Sequence, residues 1–273
     1  MVISRVPRKI LGVIPARYAS SRFPGKALAR LQDCTILEHV YRRTLAAQTL
    51  SAVVIATDDQ RIADEARRFG ATVRMTSTDH ASGTDRAAEV AWSHTGAEWI
   101  VNIQGDEPLI DPKAIDAAVE AILSHPDAPM ATLSKRIEDP REIGNPNVVK
   151  VVTSLSGSAL YFSRSPIPRI RDGGEFTYHK HIGLYVYRRD FLLRYGQLPV
   201  GPLERAEKLE QLRALENGFA IQVAETTYES IGVDTPEDLQ RVSAWLESQA
   251  ELRNGVRAGA QDATGAAVAR GKK

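Results

Sequence analysis

Arg17, Arg22 and Lys26 crowd into one short segment, interleaved with Ser20, Ser21 and Gly25. Guanidinium forks and an ammonium supply charge-assisted donors, and small residues let backbone N–H groups approach a ligand closely, so this is material for holding an oligophosphate. A solvated basic turn would contain the same residue types. The position of these directly behind the apolar run Ile10–Pro15 favours phosphate, because ligands of a wound α/β sheet bind outside the carboxyl ends of its strands. The segment is not a Walker loop, since no G-x-x-x-x-G-K-[ST] occurs, and without any G-x-G-x-x-G a dinucleotide cofactor has no support.

Carboxylates follow other apolar runs. Asp106 and Glu107 close the stretch that begins at Trp99, and a carboxylate at a strand end facing phosphates suits a hard divalent cation, which takes oxygen donors. Asp234 follows Ile231-Gly232-Val233, although it also precedes Thr235 and could simply favour the positive end of the helix that starts there. Ser82-Gly83-Thr84-Asp85-Arg86 reads as a capping box whose serine and N–H groups could equally meet a nucleotide. His179 and His181 flank Lys180 and point the same way on a strand, but no third ligand accompanies them, so they are expected to be exposed strand histidines. Cys34, the single cysteine, excludes an internal disulfide and any multi-cysteine zinc site; a reducing, cytoplasmic setting is the expectation.

Positioning these groups requires a regular frame. Short apolar runs alternate with amphipathic segments in the manner of a βα-wound sheet, with candidate strands at Ile10–Pro15, Ala52–Thr57, Thr72–Met75, Trp99–Ile103 and Met130–Leu133. Thr35 followed by Glu38 has capping-box spacing, and Asp111-Pro112 opens another helix. The texture then turns β-rich at Val148–Thr153, Ala159–Ser163 and Ile182–Tyr187, with prolines at 166 and 168 and a Gly173-Gly174 turn, which suggests a hairpin-like insertion. A helix over Glu204–Glu216, a strand at Ala220–Ala224 and a last helix from Thr235-Pro236-Glu237-Asp238 complete the pattern. Residues 1–250 are therefore expected to form one α/β domain with a β-rich lobe at about 155–200, and residues 251–273, rich in Gly and Ala, a disordered tail. With 35 cationic against 34 acidic residues the net charge of +1 leaves no basic footprint for nucleic acid, and the apolar run after Lys9 is too short for membrane insertion.

Taken in order, Val13-Ile14-Pro15-Ala16-Arg17 through Pro24-Gly25-Lys26, Ser82 to Arg86, Val101 to Pro108, Ala159 to Arg164, His181 to Tyr185, Leu209 to Arg213 and Gly232 to Asp238 resemble the 3-deoxy-manno-octulosonate cytidylyltransferase (CMP-Kdo synthetase) family over about residues 9–246. The resemblance implies a three-layer α/β fold like that of nucleotide-diphospho-sugar transferases, with a mixed, mainly parallel sheet and a small β-rich lobe for sugar binding and dimerisation. It implies transfer of CMP from CTP to 3-deoxy-manno-octulosonate (Kdo), a step toward lipopolysaccharide, with Mg2+ as cofactor and a homodimer as the assembly. Arg17, Arg22 and Lys26 would hold the triphosphate; Ala16, Ser20, Ser82, Arg86 and Gln104 would line the nucleotide pocket; Asp106 and Asp234 would share the metal. Arg164, His181, Tyr185, Glu210 and Gln211 would face the sugar acid. Arg17, Lys26, Asp106 and Asp234 would be the catalytic set. Arg169 stands where the family commonly has tryptophan, which bears on fine sugar selectivity, including a preference for amino-Kdo; the alternative reading is a cytidylyltransferase for another sugar acid, amino-Kdo or sialic acid.

Overall fold

The computed structural model describes residues 9–20 and 22–248. Ser21 and residues 251–273, expected to form a tail, lie outside the described residues. In chain order the elements are β1 (Ile10–Ala16), β2 (Arg30–Leu31), β3 (Cys34–Thr35), α1 (Ile36–Leu45), β4 (Ala52–Thr57), α2 (Gln60–Arg68), β5 (Thr72–Met75), α3 (Gly83–Ser93), β6 (Trp99–Asn102), α4 (Pro112–Ser124) and β7 (Met130–Arg136). Then come β8 (Lys150–Thr153), β9 (Ala159–Ser163), β10 (His179–Arg188), α5 (Arg189–Tyr195), α6 (Pro202–Glu207), α7 (Leu212–Glu216), β11 (Ile221–Glu225) and a final helix α8 over residues 236–248.

The main sheet runs β11-β7-β10-β6-β1-β4-β5, and within it only β10 is antiparallel to its neighbours. This is the mixed, mainly parallel sheet expected. The central strands read as continuous apolar runs because helices cover both faces: Ile14, Ile36, Ile62, Ile115 and Val242 pack on one side, Val13, Val90, Phe191 and Leu212 on the other. Three layers result. Strands β8 and β9 pair with each other, and β8 joins β10 at His179 and Lys180, so the β-rich segment branches from β10, an interior strand of the main sheet. Among the described residues no helix is long and apolar enough to cross a membrane.

Three helix starts follow their sequence signals. Ser82 caps α3 with Asp85 reciprocating, Asp111 caps α4 with Pro112 behind it, and Thr235 accepts from the Asp238 N–H at 3.2 Å while Asp238 Oδ2 accepts from the Thr235 N–H at 2.9 Å. At α1 only half of the capping box forms: Thr35 Oγ1 accepts from the Glu38 N–H at 3.3 Å, but the Glu38 carboxylate turns to Arg42 and Arg68. The helix expected over Glu204–Glu216 is broken. Lys208 adopts φ 54 and ends α6, so Leu209, Glu210 and Gln211 form a turn before α7. Periodicity alone could not show this, because the leucines fit one continuous helix.

Candidate active site

The segment behind β1 is a closed loop. The Gly25 N–H donates to the Tyr18 carbonyl at 2.8 Å, and Gly25 itself sits at φ 72 with the Tyr18 ring where a Cβ would be, 2.9 Å from that position. The Arg61 guanidinium, at the start of α2, lies 3.3 Å from the Tyr18 ring centroid. Tyr18 is thereby fixed, and the loop delivers Lys26 to the strand ends. A second close approach sets the opposite wall: a Cβ at Gly105 would fall 2.5 Å from the Pro15 carbonyl oxygen, so only glycine lets the loop after β6 lie against the end of β1.

Lys26 Nζ stands between two carboxylates, donating to Asp106 Oδ2 at 2.5 Å and to Asp234 Oδ1 at 2.9 Å, while Arg22 donates to Asp234 Oδ2 at 2.8 Å. Burial by itself would lower the Lys26 ammonium, but Asp106 and Asp234 outweigh it and hold the group above its ordinary value. Asp234 thus serves the cleft; the N–H of Asp234 is satisfied by Asp238 at 3.0 Å, and among the described residues its carboxylate is bonded to Arg22 and Lys26 and not to the helix it precedes. Glu107, beside Asp106 in sequence, turns the other way. It is buried, accepts from Tyr228 Oη at 2.9 Å and Ser230 Oγ at 2.7 Å, and burial raises its carboxyl above the usual range. With the Val233 N–H on the Asp106 carbonyl at 2.9 Å, these bonds lock the two carboxylate-bearing segments together.

A cleft of about 290 Å³ collects Ala16, Arg17, Ser20, Arg22 and Lys26 from the first loop, Ser82 and Arg86 from the start of α3, and Gln104, Asp106 and Asp234 from the strand ends. Every residue expected at the nucleotide and metal positions lines it. Their freedom differs. Arg86 is buried, donating to Asp58 Oδ2 at 2.8 Å and to Thr76 Oγ1, so it braces the wall of the cleft. Ser82 Oγ is engaged with Asp85, and Gln104 Nε2 donates to the Gly183 carbonyl at 3.0 Å. Sequence reasoning missed His80, which lines the same cleft and meets Glu89 Oε2 through Nε2 at 2.5 Å. Its signal was only proximity to Ser82.

The residues expected to face the sugar lie apart from that cleft, around β10 and the α6–α7 turn. Strand β10 slips register between Ile182 and Tyr185, a bulge of the kind that re-aims side chains. Thr132 Oγ1 fills it, lying 3.1 Å from the Ile182 carbonyl, 2.8 Å from that of Leu184 and 2.9 Å from His181 Nε2. A hydroxyl has one proton, and two carbonyls compete for it, so His181 Nε2 is the donor to Thr132 and Nδ1 is left as an acceptor. Burial pushes the His181 imidazole down to about 3, which keeps it neutral; it is not the exposed strand histidine expected, whereas His179 reaches Glu225 at 3.6 Å. Tyr185 is paired in register with Asn102 of β6, two places before Gln104. Arg164 directs its guanidinium to three carbonyls, those of Glu207 at 2.7 Å, Pro146 at 3.0 Å and Lys208 at 3.4 Å, leaving two of its five N–H groups for anything else.

Burial raises the Glu210 carboxyl, with Arg213 opposing. Among the described residues the buried side-chain atoms without a hydrogen-bond partner include Asn102 Oδ1, Glu210 Oε1 and Gln211 Nε2. Such orphans cost about 1–3 kcal/mol each, and their grouping beside β10 marks a place where a polar ligand would satisfy them.

Comparison with known proteins agrees with this chemistry. The profile of the cytidylyltransferase family matches residues 11–230. A 3-deoxy-manno-octulosonate cytidylyltransferase of Solibacter usitatus is 66% identical over 239 residues, covering 87% of this chain and 94% of the relative, and one of Geobacter sulfurreducens is 56% identical over 244 residues, covering 85% and 97%. Among solved structures, a CMP:2-keto-3-deoxy-manno-octonic acid synthetase complexed with CTP superposes with a TM-score of 0.85 at 43% identity, covering 88% of this chain and 99% of that one. A 4-diphosphocytidyl-2C-methyl-D-erythritol synthase from Anaerococcus prevotii shares the fold alone, with a TM-score of 0.59 at 13% identity, covering 88% and 99%.

Proposed function

This chain belongs to the cytidylyltransferase family, and from that premise we propose that it transfers CMP from CTP to the anomeric hydroxyl of Kdo, giving CMP-Kdo and pyrophosphate. The observation that carries the reading is the cleft in which Arg17, Arg22 and Lys26 stand against Asp106 and Asp234 at the carboxyl ends of β1 and β6. A triphosphate needs cations on its leaving portion. A sugar acid needs a separate polar pocket, which the orphaned atoms around β10 supply.

The donor set also fits a divalent cation. Asp106 and Asp234 converge on one positive atom, Lys26 Nζ, which stands in for an ion between them, and carboxylate oxygens are the ligands that Mg2+ prefers. Asp106 and Asp234 would hold Mg2+, whose charge stabilises negative charge on the phosphate and makes an attacking hydroxyl more acidic. The remaining work falls to side chains of the chain itself. Lys26, released from the carboxylates, places its ammonium on the triphosphate with Arg17 and Arg22, offsetting the charge that accumulates on the departing pyrophosphate. Ala16, Ser20, Ser82, Arg86 and Gln104 bound the nucleotide. His181 Nδ1 accepts from a sugar hydroxyl, Glu210 Oε1 accepts and Gln211 Nε2 donates, Tyr185 closes the pocket, and Arg164 offers its two remaining N–H groups to the sugar carboxylate. Orientation of the hydroxyl in line with the α-phosphorus is then the main contribution to rate.

The same proposal makes residues 1–250 one nucleotidyltransferase domain with a lobe at about 155–200, places the reaction in the cytoplasm and in lipopolysaccharide synthesis, and makes the protein a homodimer. Exposed Leu155, Leu160 and Phe176 border a groove of about 790 Å³ on the β8–β9 side, an apolar face suited to a second copy. The test is pyrophosphate release from CTP, UTP and ATP, each offered with Kdo, amino-Kdo and sialic acid. CTP with Kdo should be fastest. Release only with sialic acid, or none with any sugar acid, would overturn the reading.

A further inference from the structure

Lys150 opens β8 with no surface exposed to solvent, yet among the described residues no carboxylate is bonded to its ammonium. Instead Nζ donates to the carbonyls of Asn145 at 2.9 Å, Val148 at 2.6 Å and Arg164 at 2.6 Å, which accounts for all three of its N–H groups. A buried ammonium satisfied in this way gains nothing over an apolar side chain in a plain turn, because its desolvation must first be offset. What it does achieve is geometry: two carbonyls of the turn before β8 and one at the end of β9 are drawn to one point.

The hub extends through Arg164. The backbone N–H of Arg164 donates to Glu207 Oε2 at 2.9 Å, Ser163 Oγ donates to Glu207 Oε1 at 2.5 Å, and the Arg164 guanidinium reaches the carbonyls of Pro146, Glu207 and Lys208. Two cations and one carboxylate therefore tie the turn at 145–150, the end of β9 and the end of α6 into one piece. The residue at the far edge of that piece is Lys208, at φ 54, the point where the chain leaves α6. Two and three residues later come Glu210 and Gln211, whose buried Oε1 and Nε2 lack partners.

We propose that Lys150 is a positioning residue for the sugar-acid pocket: acting through Arg164 and Glu207, it fixes the break between α6 and α7 so that Glu210 and Gln211 face the sugar. This rests on the reading of Glu210 and Gln211 as sugar contacts. The nucleotide cleft shares none of the hub's bonds, so the two substrates should respond differently when the hub is loosened.

The test uses the full chain and measures KM for Kdo and for CTP separately by pyrophosphate release, alongside thermal melting. Lys150→Met should raise KM for Kdo roughly tenfold or more, since small displacements of positioning groups have effects of this size. KM for CTP should stay within about twofold. A residue that only stabilised the fold would lower melting temperature and active fraction without separating the two KM values. If Lys150→Met does not fold, Glu207→Gln, which keeps one acceptor oxygen, decides by the same separation at smaller amplitude. KM values that stay unchanged, or rise together, overturn the proposal. A wild type silent with every sugar acid overturns the functional reading beneath it, and that failure shows before any variant is made.

Discussion

The two ends of the site are built on opposite electrostatic plans. At the mouth, Arg22, Lys26, Asp106 and Asp234 neutralise one another through bonds of 2.5–2.9 Å, and the side chains of Arg22 and Asp234 remain substantially exposed, at 65% and 44%. At the floor, His181 is held neutral, and Glu210 Oε1 and Gln211 Nε2 are buried atoms without partners. An exposed pair such as Arg22–Asp234 contributes little to stability, so exchanging it for phosphate or metal partners costs little, while the more enclosed Lys26 is held by two carboxylates at once. Buried orphans do the reverse: they weaken the empty fold and are satisfied only by the right ligand. Charge at the mouth gives strength of binding and stabilisation of a leaving group, while the floor gives discrimination, since a site with fixed unpaired polar atoms rejects ligands lacking their counterparts.

The largest effect should come from breaking the mouth. Lys26→Met removes the ammonium that bridges both carboxylates and, in the proposed mechanism, a cation on the departing pyrophosphate; turnover should fall by about 10²–10³-fold, the usual result of deleting one such donor. Steady-state pyrophosphate release checks it, and loss of less than about tenfold would remove Lys26 from the catalytic set. At the floor, Gln211→Leu should act in two directions. Melting temperature should rise, because an orphaned buried amide costing about 1–3 kcal/mol is gone, while KM for the sugar acid rises and KM for CTP holds. A variant that is both less stable and unchanged toward the sugar would show that Gln211 has an internal role.

The mouth was far more legible in sequence than the floor, and the reason is physical. Its first-loop cations and Asp106 follow directly on apolar strands, and strand ends are where a wound sheet presents its ligand site, so Arg17, Lys26 and Asp106 could be read from position alone, whereas Asp234, which could equally have served the helix it precedes, was singled out by the family resemblance. The family resemblance named the floor residues, but residue pattern did not place them. His181 looked like an exposed strand histidine because its burial depends on a register slip in β10 and on Thr132 from another strand. Glu210 and Gln211 looked helical because the left-handed Lys208 is held by tertiary bonds from Arg164 that no local period encodes. Glu107 stood beside Asp106 as an equal candidate ligand, and only Tyr228 and Ser230, distant in sequence, show that it faces inward.

The neutral floor also predicts a pH response that the mouth does not. The His181 imidazole drops from an ordinary value near 6.5 to about 3 on folding, so between these values the unfolded chain binds a proton that the folded chain does not. Stability should therefore rise with pH across this window and be lost as pH falls below 6.5, by about 2 kcal/mol at pH 5 from this group alone. Urea unfolding at pH 5 and pH 7.5 measures the difference, and His181→Gln should flatten it. If the variant keeps the full acid sensitivity, His181 is not its source.

The smallest effect separates the mouth from its scaffold. Tyr228→Phe deletes one of the two side-chain bonds to the buried Glu107 carboxyl, leaving Ser230 Oγ, while the Val233 N–H still holds the Asp106 carbonyl. The loss should be about 1 kcal/mol, the net worth of one hydrogen bond, or about 2–4 °C in melting temperature for a domain of this size. Turnover should change by no more than about twofold, because Asp106 and Asp234 keep the backbone tether between them. A fall of about a hundredfold at unchanged melting temperature would mean that Glu107 carries charge into the cleft, and the boundary between an exchangeable mouth and a rigid interior would have to be redrawn one residue along the chain.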